Sequence, residues 1–289
     1  MHLWSKTVPS ERLVGWLAKV EGSIPPERLA VVTPAYSDRP RLEAYMETAA
    51  EAAALARVFG GRTAEVRPED WLPDPATDPG KPLSFGGRLL VTGRPEELAP
   101  LRAAHPGRPV LCIPAAMAFG SGEHATTAMC LRFLSEVSRS LGTVGLPWRL
   151  LDLGTGSGVL ALAARLFGAA EVGGFDNDPH AVRTAKENAR FNGVARFRSR
   201  RADLLRAPWP WQPDGGWNVI AANLFSELLI AALPQIAASL VGGGQLIASG
   251  VLANQATDVE AALTKTGFVL DTKRRRGKWV AFLARKAVA

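Results

Sequence analysis

From Pro109 onward, short apolar runs alternate with longer segments in which apolar residues recur at helical spacing. The pattern predicts strands in RLLDLG, EVGGFD, ARFRSR, WNVIAANL and QLIASGV, and helices in GVLALAARLFG, PHAVRTAKENARFNG and SELLIAALPQIAASLVGGG. Repeated strand-helix-strand order is typical of a doubly wound parallel sheet. At the end, GFVLDTKRR and KWVAFLARK flank a turn at Gly277 with no helix between them, which predicts a terminal antiparallel hairpin on that sheet.

The first seventy residues show a different pattern. SERLVGWLAKVEG and the alanine-rich AAEAAALARVFGG have helical spacing, whereas RLAVVTPAY and RLEAYMET are typical of strands. Proline and glycine then accumulate in LPDPATDPGKPLSFGG, which interrupts helices and disfavours regular strand pairing. We therefore predict a small α+β domain over residues 1–68, a linker and lead-in over 69–108, and an α/β domain over 109–289.

The composition is that of an ordinary globular protein, with 47% hydrophobic and 21% charged residues in 289. The longest apolar stretch, LLIAALPQIAASLV, is too short and too interrupted to span a bilayer, and MHLWSKTVPSERL lacks the apolar core of a signal peptide. We expect a cytoplasmic protein without a membrane partner. Cys112 and Cys130 form no recognisable pairing motif, and we predict that both are buried thiols.

Basic residues cluster in RFRSRR (Arg196 to Arg201) and KRRRGK (Lys273 to Lys278), and the chain carries a net charge of +7. Such patches would favour proximity to RNA, the ribosome or an acidic protein face. The alternative interpretation is a pair of solvated surfaces without a partner.

A glycine-rich loop, Gly154 to Gly158, follows the strand RLLDLG and opens a helix. The next predicted strand ends at Asp176, at the spacing expected for an acidic residue that accepts hydrogen bonds from both ribose hydroxyls. This arrangement suits a nucleoside ligand. The loop meets the dinucleotide pattern G-x-G-x-x-G only in part, because Val159 stands at the third glycine position.

The order D-x-G-x-G-x-G from Asp152 to Gly158, followed by Asp176, resembles that of class I S-adenosylmethionine-dependent methyltransferases. The resemblance implies S-adenosyl-L-methionine as the cofactor, with Gly154 and Gly156 at its amino-acid end and Asp176 at its ribose. Asp203, in RRADLL, either accepts from the exocyclic amine of adenine or caps a turn. Asp152 either orients the loop or contacts the ligand directly.

Asn223, in AANLFS, ends the fourth predicted strand of the sheet, opposite the glycine loop, where the transferred group should emerge. An amide at this position can orient an amine, and we predict that Asn223 is the catalytic residue. Methyltransferases that act on planar amides commonly carry N-P-P-Y here. Leu224, Phe225 and Ser226 do not supply that motif, which disfavours planar amide targets.

From about Trp71 to the C-terminus the chain resembles the PrmA-type ribosomal protein methyltransferases, through AMAFGSGEHATTAMCL, LLDLGTGSGVLALAA, FDNDPHAV, ENARFNGV, AANL, GGGQLIASGVLANQ and RGKWVAFL. In that family an A-F-G-T-G-x-H-x-T-T loop covers the cofactor. The resemblance implies that Phe119 packs on S-adenosylmethionine, that Thr126 hydrogen-bonds to it, and that Gly154, Asp176 and Asn223 contact it.

Two other interpretations of AFGSGEHATT are weaker. Ser121 is not in a G-x-S-x-G elbow, which disfavours a nucleophile, and Glu123 and His124 lack companion ligands at metal-site spacing, so we predict no metal. We expect His124 to fix the loop by hydrogen bonding. The chain departs from the family pattern at Ser121, Glu123, Ala125 and Phe225, and changes at Glu123 and Phe225 would alter the target pocket.

The resemblance implies methylation of lysine ε-amines and an α-amine of the large-subunit ribosomal protein numbered eleven, by a monomer whose first domain recruits that substrate. An enzyme of the same fold acting on RNA or on another protein, as the lysine methyltransferases of the electron-transfer flavoprotein β-subunit do, is one alternative. A catalytically silent S-adenosylmethionine-binding or ribosome-binding module is another.

Overall fold

The computed structural model describes residues 2–20, 22–24, 28–32, 39–65, 81–114, 124–206 and 208–288. The chain divides into two compact units, Met1–Leu72 and Pro73–Ala289. The domain boundaries predicted from the sequence stay a prediction.

The first unit is an antiparallel sheet covered by helices. Its elements are β1 (His2–Thr7), α1 (Leu13–Val20), β2 (Leu29–Val32), β3 (Arg41–Met46), α2 (Ala49–Phe59) and β4 (Arg62–Glu65), with the strand order β2-β3-β1-β4. Trp4 and Leu42 are fully buried in its core, and Thr48 and Glu51 cap α2 reciprocally. The predicted α+β fold is confirmed, and β1 and β4 add two strands that the sequence pattern did not reveal.

The second unit begins with a small sheet formed by β5 (Leu83–Phe85), β6 (Leu89–Thr92) and β7 (Val110–Cys112), with α3 (Leu98–Ala104) between β6 and β7. β5 lies inside the proline- and glycine-rich stretch, where we had expected no regular pairing, and it pairs antiparallel with β6, so that expectation is wrong for Leu83–Phe85. Pro82 precedes the strand rather than interrupting it, and such a position needs no backbone donor.

A seven-stranded sheet dominates the second unit. Its elements are α4 (Ala125–Val144), β8 (Arg149–Leu153), α5 (Val159–Leu166), β9 (Glu171–Asp176), α6 (Pro179–Phe191), β10 (Phe197–Arg201), β11 (Trp217–Asn223), α7 (Ser226–Ser239), β12 (Leu240–Leu252), α8 (Ala256–Lys265), β13 (Phe268–Arg276) and β14 (Trp279–Lys286). The strand order is β10-β9-β8-β11-β12-β14-β13. The first five strands in this order are parallel, and β13 and β14 form the antiparallel hairpin. The predicted fold class is confirmed.

Alternate residues of the central strands enter two hydrophobic cores, one on each face of the sheet. Leu150 and Val219 pack in the core on the α4 and α5 face, whereas Leu151 and Ile220 pack in the core on the α7 and α8 face. This period of two explains why these strands are apolar throughout: both faces are buried. One boundary differs from the prediction, because α7 ends at Ser239 and the LVGGG segment already belongs to β12. Valine and glycine both have low helix propensity, so the segment that follows Leu240 does not continue α7.

The chain order places a crevice at one edge of this sheet. The chain runs outward through β8, β9 and β10 and then returns to the other side of β8 as β11. Ligands bind at such a switch point, beyond the carboxyl ends of the strands.

Two smaller predictions concern the cysteines and the membrane. Cys112 and Cys130 are buried free thiols, as predicted. Within the described ranges, the chain forms no helix with a long enough apolar stretch to cross a bilayer.

Candidate functional site

The glycine loop between β8 and α5 uses backbone conformations that other residues rarely adopt. Gly154, Gly156 and Gly158 have φ angles of +65°, +52° and +83°. A Cβ atom on Gly154 would lie 2.7 Å from Cδ2 of Leu224, in the loop after β11. Glycine therefore serves both the turn and the close approach of the two loops at the switch point.

Asp152, on β8, stabilises this loop through hydrogen bonds. Its carboxylate is buried and accepts a hydrogen bond from the Thr155 hydroxyl, with 2.8 Å between Thr155 Oγ1 and Asp152 Oδ2, and another from the backbone of Ala161. Burial raises the pKa of Asp152 to about 7, the Thr155 hydrogen bond opposes the rise, and Asp176 adds to it. The buried position favours the orienting role over direct contact with a ligand.

Asp176 ends β9 and faces the glycine loop. Its Oδ2 accepts from the backbone N–H of Gly156 at 3.0 Å, and its Oδ1 accepts from the backbone N–H of Asp178 at 3.0 Å. The residue is partly exposed, and a carboxylate has about four acceptor sites, so two backbone bonds leave capacity for two hydroxyl donors. The ribose contact itself stays a prediction.

Asp203 follows β10 and caps a turn, which is one of the two roles that the sequence left open. Its Oδ1 accepts from the backbone N–H of Leu205 at 2.9 Å, and its Oδ2 lies 3.4 Å from Nε of Arg206. The backbone N–H of Ala202 donates to the carbonyl of Asp176 at 3.0 Å, so the turn lies beside the end of β9. A contact from Asp203 to adenine stays a prediction.

Asn223 is the last residue of β11, one position beyond Ala222, which pairs with Leu153 at the end of β8. Its Nδ2 donates to Oγ1 of Thr127, on α4, at 3.3 Å. Asn223 is partly buried, and its Oδ1 accepts no hydrogen bond from any residue that the structure describes. The amide nitrogen of Asn223 is therefore held by Thr127, and its amide oxygen can accept a hydrogen bond from a ligand.

The segment that closes this side of the crevice begins α4. His124 caps the helix, and its Nδ1 lies 2.8 Å from Oγ1 of Thr126. The His124 ring packs edge-on against Trp279 at 5.2 Å between centroids, and burial, followed by the charge of Lys278, lowers the pKa of His124. His124 thus makes the hydrogen bond expected of it. Thr126 is buried with its hydroxyl on His124, and its cofactor contact stays a prediction.

The other loop predictions, for Phe119, Ser121 and Glu123, lie outside the described residues. Two residues that shape this side of the crevice were not singled out in the sequence. Thr127, which holds Asn223, was hidden in the threonine pair of the loop. Gly250 of β12 has a φ of +86°, and a Cβ there would lie 2.4 Å from the Leu224 carbonyl oxygen. A glycine inside an apolar strand is a signal for such close approach.

The strand order and the residues at the carboxyl edge of β8, β9 and β11 define the class I S-adenosylmethionine-dependent methyltransferase fold. Residues 17–287 match the family described as ribosomal protein L11 methyltransferase (PrmA), and the chain belongs to that family.

Curated relatives agree with this assignment. A ribosomal protein L11 methyltransferase of Heliobacterium modesticaldum is 39% identical over 207 residues, which are 72% of this chain and 61% of that protein. The protein of the same name in Symbiobacterium thermophilum is 40% identical, over 71% of this chain and 62% of the relative. These matches thus span about three fifths of the relatives' length. The protein of that name in Pelotomaculum thermopropionicum is 36% identical over 92% of this chain and 86% of its own length.

A solved structure shows the same fold. The crystal structure of a ribosomal protein L11 methylase from Lactobacillus delbrueckii subsp. bulgaricus superposes with a TM-score of 0.59 at 28% identity. The match covers 71% of this chain and 98% of that chain.

Proposed function

We propose that this chain is an S-adenosylmethionine-dependent methyltransferase that methylates lysine ε-amines or an N-terminal α-amine of a ribosomal protein. One observation carries the proposal: Asn223 lies across the sheet switch point from the glycine loop, with its amide nitrogen on Thr127 and its amide oxygen unused among the described residues. Membership of the PrmA family supports the substrate class.

The residues at the crevice fit S-adenosylmethionine. Because three positions of the loop are glycines at positive φ, a ligand can approach its backbone closely. The partly exposed Asp176 keeps acceptor capacity for ribose hydroxyls. Gly154, Gly156 and Asp176 would hold the cofactor, with Asp203 beside the adenine and Phe119, Thr126 and Asn223 completing its contacts. When bound, S-adenosylmethionine supplies a methyl group activated by a sulfonium.

Asn223 would orient the acceptor amine. An amine attacks only through its lone pair, and deprotonating an exposed lysine of pKa ~10.4 at neutral pH costs about 4 to 5 kcal/mol. Desolvation in the crevice and a neighbouring positive charge both disfavour the ammonium form, so no strong general base is needed. The Asn223 Oδ1 can then accept an N–H of the neutral amine and direct its lone pair, and such alignment contributes up to roughly 7 to 11 kcal/mol.

The test of this function is incorporation of labelled methyl groups. Purified ribosomal protein L11, ribosomal RNA and the electron-transfer flavoprotein β-subunit are each incubated with labelled S-adenosylmethionine and the full chain. We expect label in the ribosomal protein and none with Asp176→Ala at low cofactor concentration. Label only in RNA or in the flavoprotein subunit would establish one of the alternative targets. Cofactor binding without any incorporation would establish a silent module.

The first unit would recruit the protein substrate, because a separate domain raises the local concentration of a target without taking part in the chemistry. A monomer in the cytoplasm, close to ribosomes or RNA through its basic patches, fits this role. A chain shortened to begin at Pro73 should keep its S-adenosylmethionine affinity and methylate the intact ribosomal protein poorly. Full activity of the folded short chain would place substrate recognition in the second unit instead.

A further inference from the structure

The two basic clusters of the sequence have different fates in the fold. In the hairpin cluster (Lys273 to Arg276 and Lys278), Lys273 Nζ lies 2.7 Å from Glu260 Oε1. Arg274 Nη2 lies 2.8 Å from Glu136 Oε1, and its guanidinium stacks over the Phe133 ring at 4.6 Å. Acidic side chains of α8 and α4 thus neutralise two of the five cations of the hairpin cluster.

The strand cluster consists of Arg198, Arg200 and Arg201 on β10, at one edge of the large sheet, and of Arg196, which directly precedes that strand. Arg198 pairs with Glu171, and Arg201 Nε donates to the backbone carbonyl of Asn177 at 3.0 Å. The side chains of Arg196 and Arg200 are exposed, and they form no hydrogen bond or ion pair with the residues that the structure describes. Two unneutralised positive charges therefore flank this edge.

A cleft of about 360 Å³ opens beside the same edge, at the amino ends of β8 and β9. Arg149, Arg198 and Trp211 line it together with Glu171 and the segment 212–214. This is the opposite edge of the sheet from Asp176 and Asn223, so the cleft is separate from the proposed catalytic crevice.

One residue of the cleft and the residue that precedes β10 have unusual backbone angles. Among the described residues other than glycine, only Arg196 and Trp211 have positive φ angles, 59° and 58°. Such strain clusters at ligand clamps. The Trp211 ring packs over Gly173 of β9, where a Cβ would lie 3.0 Å from the ring, and Arg198 lies 5.4 Å from the ring centroid. Gly173 thus makes room for the Trp211 ring, which lines the cleft and also packs against the hydrophobic core.

The charges inside the cleft are balanced, whereas those on the neighbouring surface of β10 are not. Inside the cleft, Glu171 and Asp214 balance Arg149 and Arg198, so its lining is close to neutral and suits an uncharged aromatic group. Arg198 and Arg200 leave β10 on the same face because strand side chains alternate, so Arg200 lies on the face of the cleft, two residues farther toward the carboxyl end of the strand. Unpaired cations beside an aromatic cleft are the arrangement with which proteins bind single-stranded nucleic acid.

We propose that the β10 edge binds single-stranded RNA, with backbone phosphates at Arg196 and Arg200 and a base in the cleft beside Trp211. The choice of RNA over another polyanion rests on the proposed ribosomal substrate. The rival explanation is that arginines on an edge strand prevent the pairing of sheets from two molecules. That explanation requires no RNA affinity.

The experiment measures the binding of the full chain to a short fluorescein-labelled oligouridylate by fluorescence anisotropy, at about 50 mM and about 200 mM salt. The test variant is Arg196→Ala with Arg200→Ala. The control is Lys273→Ala with Arg274→Ala, which removes the same charge from the hairpin cluster. We expect about tenfold weaker binding for the test variant and less than about threefold for the control. The slope of log affinity against log salt should fall by about 1.4 in the test variant, since each phosphate contact on a single strand contributes about 0.7.

Trp211→Leu should weaken binding several-fold and leave the salt slope unchanged, because it removes a base contact and no phosphate contact. Equal losses in both double variants, or polyglutamate competing as well as RNA of equal charge, would overturn the proposal in favour of general attraction. No RNA binding by the unaltered chain, with aggregation of the test variant, would establish edge protection instead. Methyl transfer by the same preparations is measured separately. If the unaltered chain transfers no methyl group, that result contradicts the proposed function and leaves the RNA-binding proposal to the anisotropy data.

Discussion

The two halves of the crevice differ in how completely their polar groups are paired. At the ends of β8 and β9, Asp152 is bonded to Thr155 and Asp176 to the Gly156 backbone, within a glycine loop fixed on α5. At the end of β11, the Asn223 side chain has one hydrogen bond, to Thr127, and Phe225, two residues further on, is 77% exposed. The first half is held in place by several internal hydrogen bonds, whereas the second presents an amide oxygen and an aromatic ring that make no such bonds among the described residues.

This difference separates the two tasks that the proposed reaction imposes. A cofactor of fixed structure is bound best by a preformed loop, because little ordering entropy is then lost on binding. A protein substrate brings its own surface, so unused polar and apolar groups at the acceptor side can be completed by the partner.

The largest predicted effect concerns the buried framework. The folded-state pKa of Asp152, about 7, lies above its ordinary value of 3.8, so this group's contribution to stability is fully present below pH 3.8 and is lost as the pH rises through 7. At about 1.4 kcal/mol per pKa unit, the loss amounts to about 4 kcal/mol. Asp152→Asn does not titrate, so its free energy of unfolding relative to the unaltered chain should rise by that amount between pH 4 and 8. Urea titrations of both proteins measure it, and parallel pH profiles would show that Asp152 is not buried as described.

Asn223→Ala should have the next largest effect, on the chemical step. Misplacing a reacting group by about 1 Å costs roughly 100-fold in rate, so the single-turnover rate constant should fall by about that factor while the affinity for the ribosomal protein changes little. Thr127→Val should lower the same rate less, and Thr127→Ser should restore it, because the serine hydroxyl can still accept from Asn223. An unaltered transfer rate in Asn223→Ala would reject the role of this amide.

Asp176→Ala should weaken S-adenosylmethionine binding by about 2 kcal/mol, or about 30-fold, since hydrogen bonds to a charged group are worth roughly 1.5 to 3 kcal/mol. Isothermal titration calorimetry measures the loss, and a circular dichroism melt confirms folding. Unchanged affinity in the folded variant would exclude the ribose contact.

The smallest effect is expected at Phe225. An exposed aromatic ring beside Asn223 offers apolar area to an incoming protein, so Phe225→Ala should raise the KM for the ribosomal protein about tenfold and leave the cofactor affinity unchanged. Leu146 is a matched control, because it is 69% exposed and precedes β8 at the opposite edge of the sheet. If Leu146→Ala raised KM equally, the effect of Phe225→Ala would not reflect a substrate contact at the acceptor side.

Sequence patterns predicted the parallel sheet and the polar residues at its carboxyl edge for a simple reason. Strands buried on both faces are apolar throughout, and the polar residues that end them, Asp176 and Asn223, stand out at the carboxyl edge. Short strands such as Leu83–Phe85 were missed because three residues carry too little periodicity to outweigh their proline and glycine neighbours.

Contacts between distant segments were beyond the sequence pattern. The bond between Asn223 and Thr127 joins residues 96 positions apart, and no local rule relates them. The same applies to the basic clusters, which look alike in sequence. Only the fold shows that Glu260 and Glu136 neutralise Lys273 and Arg274 of one cluster. In the other cluster, the side chains of Arg196 and Arg200 have no acidic partner among the described residues.

The division of the crevice into a cofactor half and an acceptor half is tested most directly by one paired measurement. S-adenosylmethionine affinity and the single-turnover methyl-transfer rate at saturating cofactor are determined side by side for Asp176→Ala and Asn223→Ala. We predict that Asp176→Ala loses mainly affinity and recovers its rate at saturation, whereas Asn223→Ala loses far more rate than affinity. Equal losses of both quantities in both variants would contradict the division.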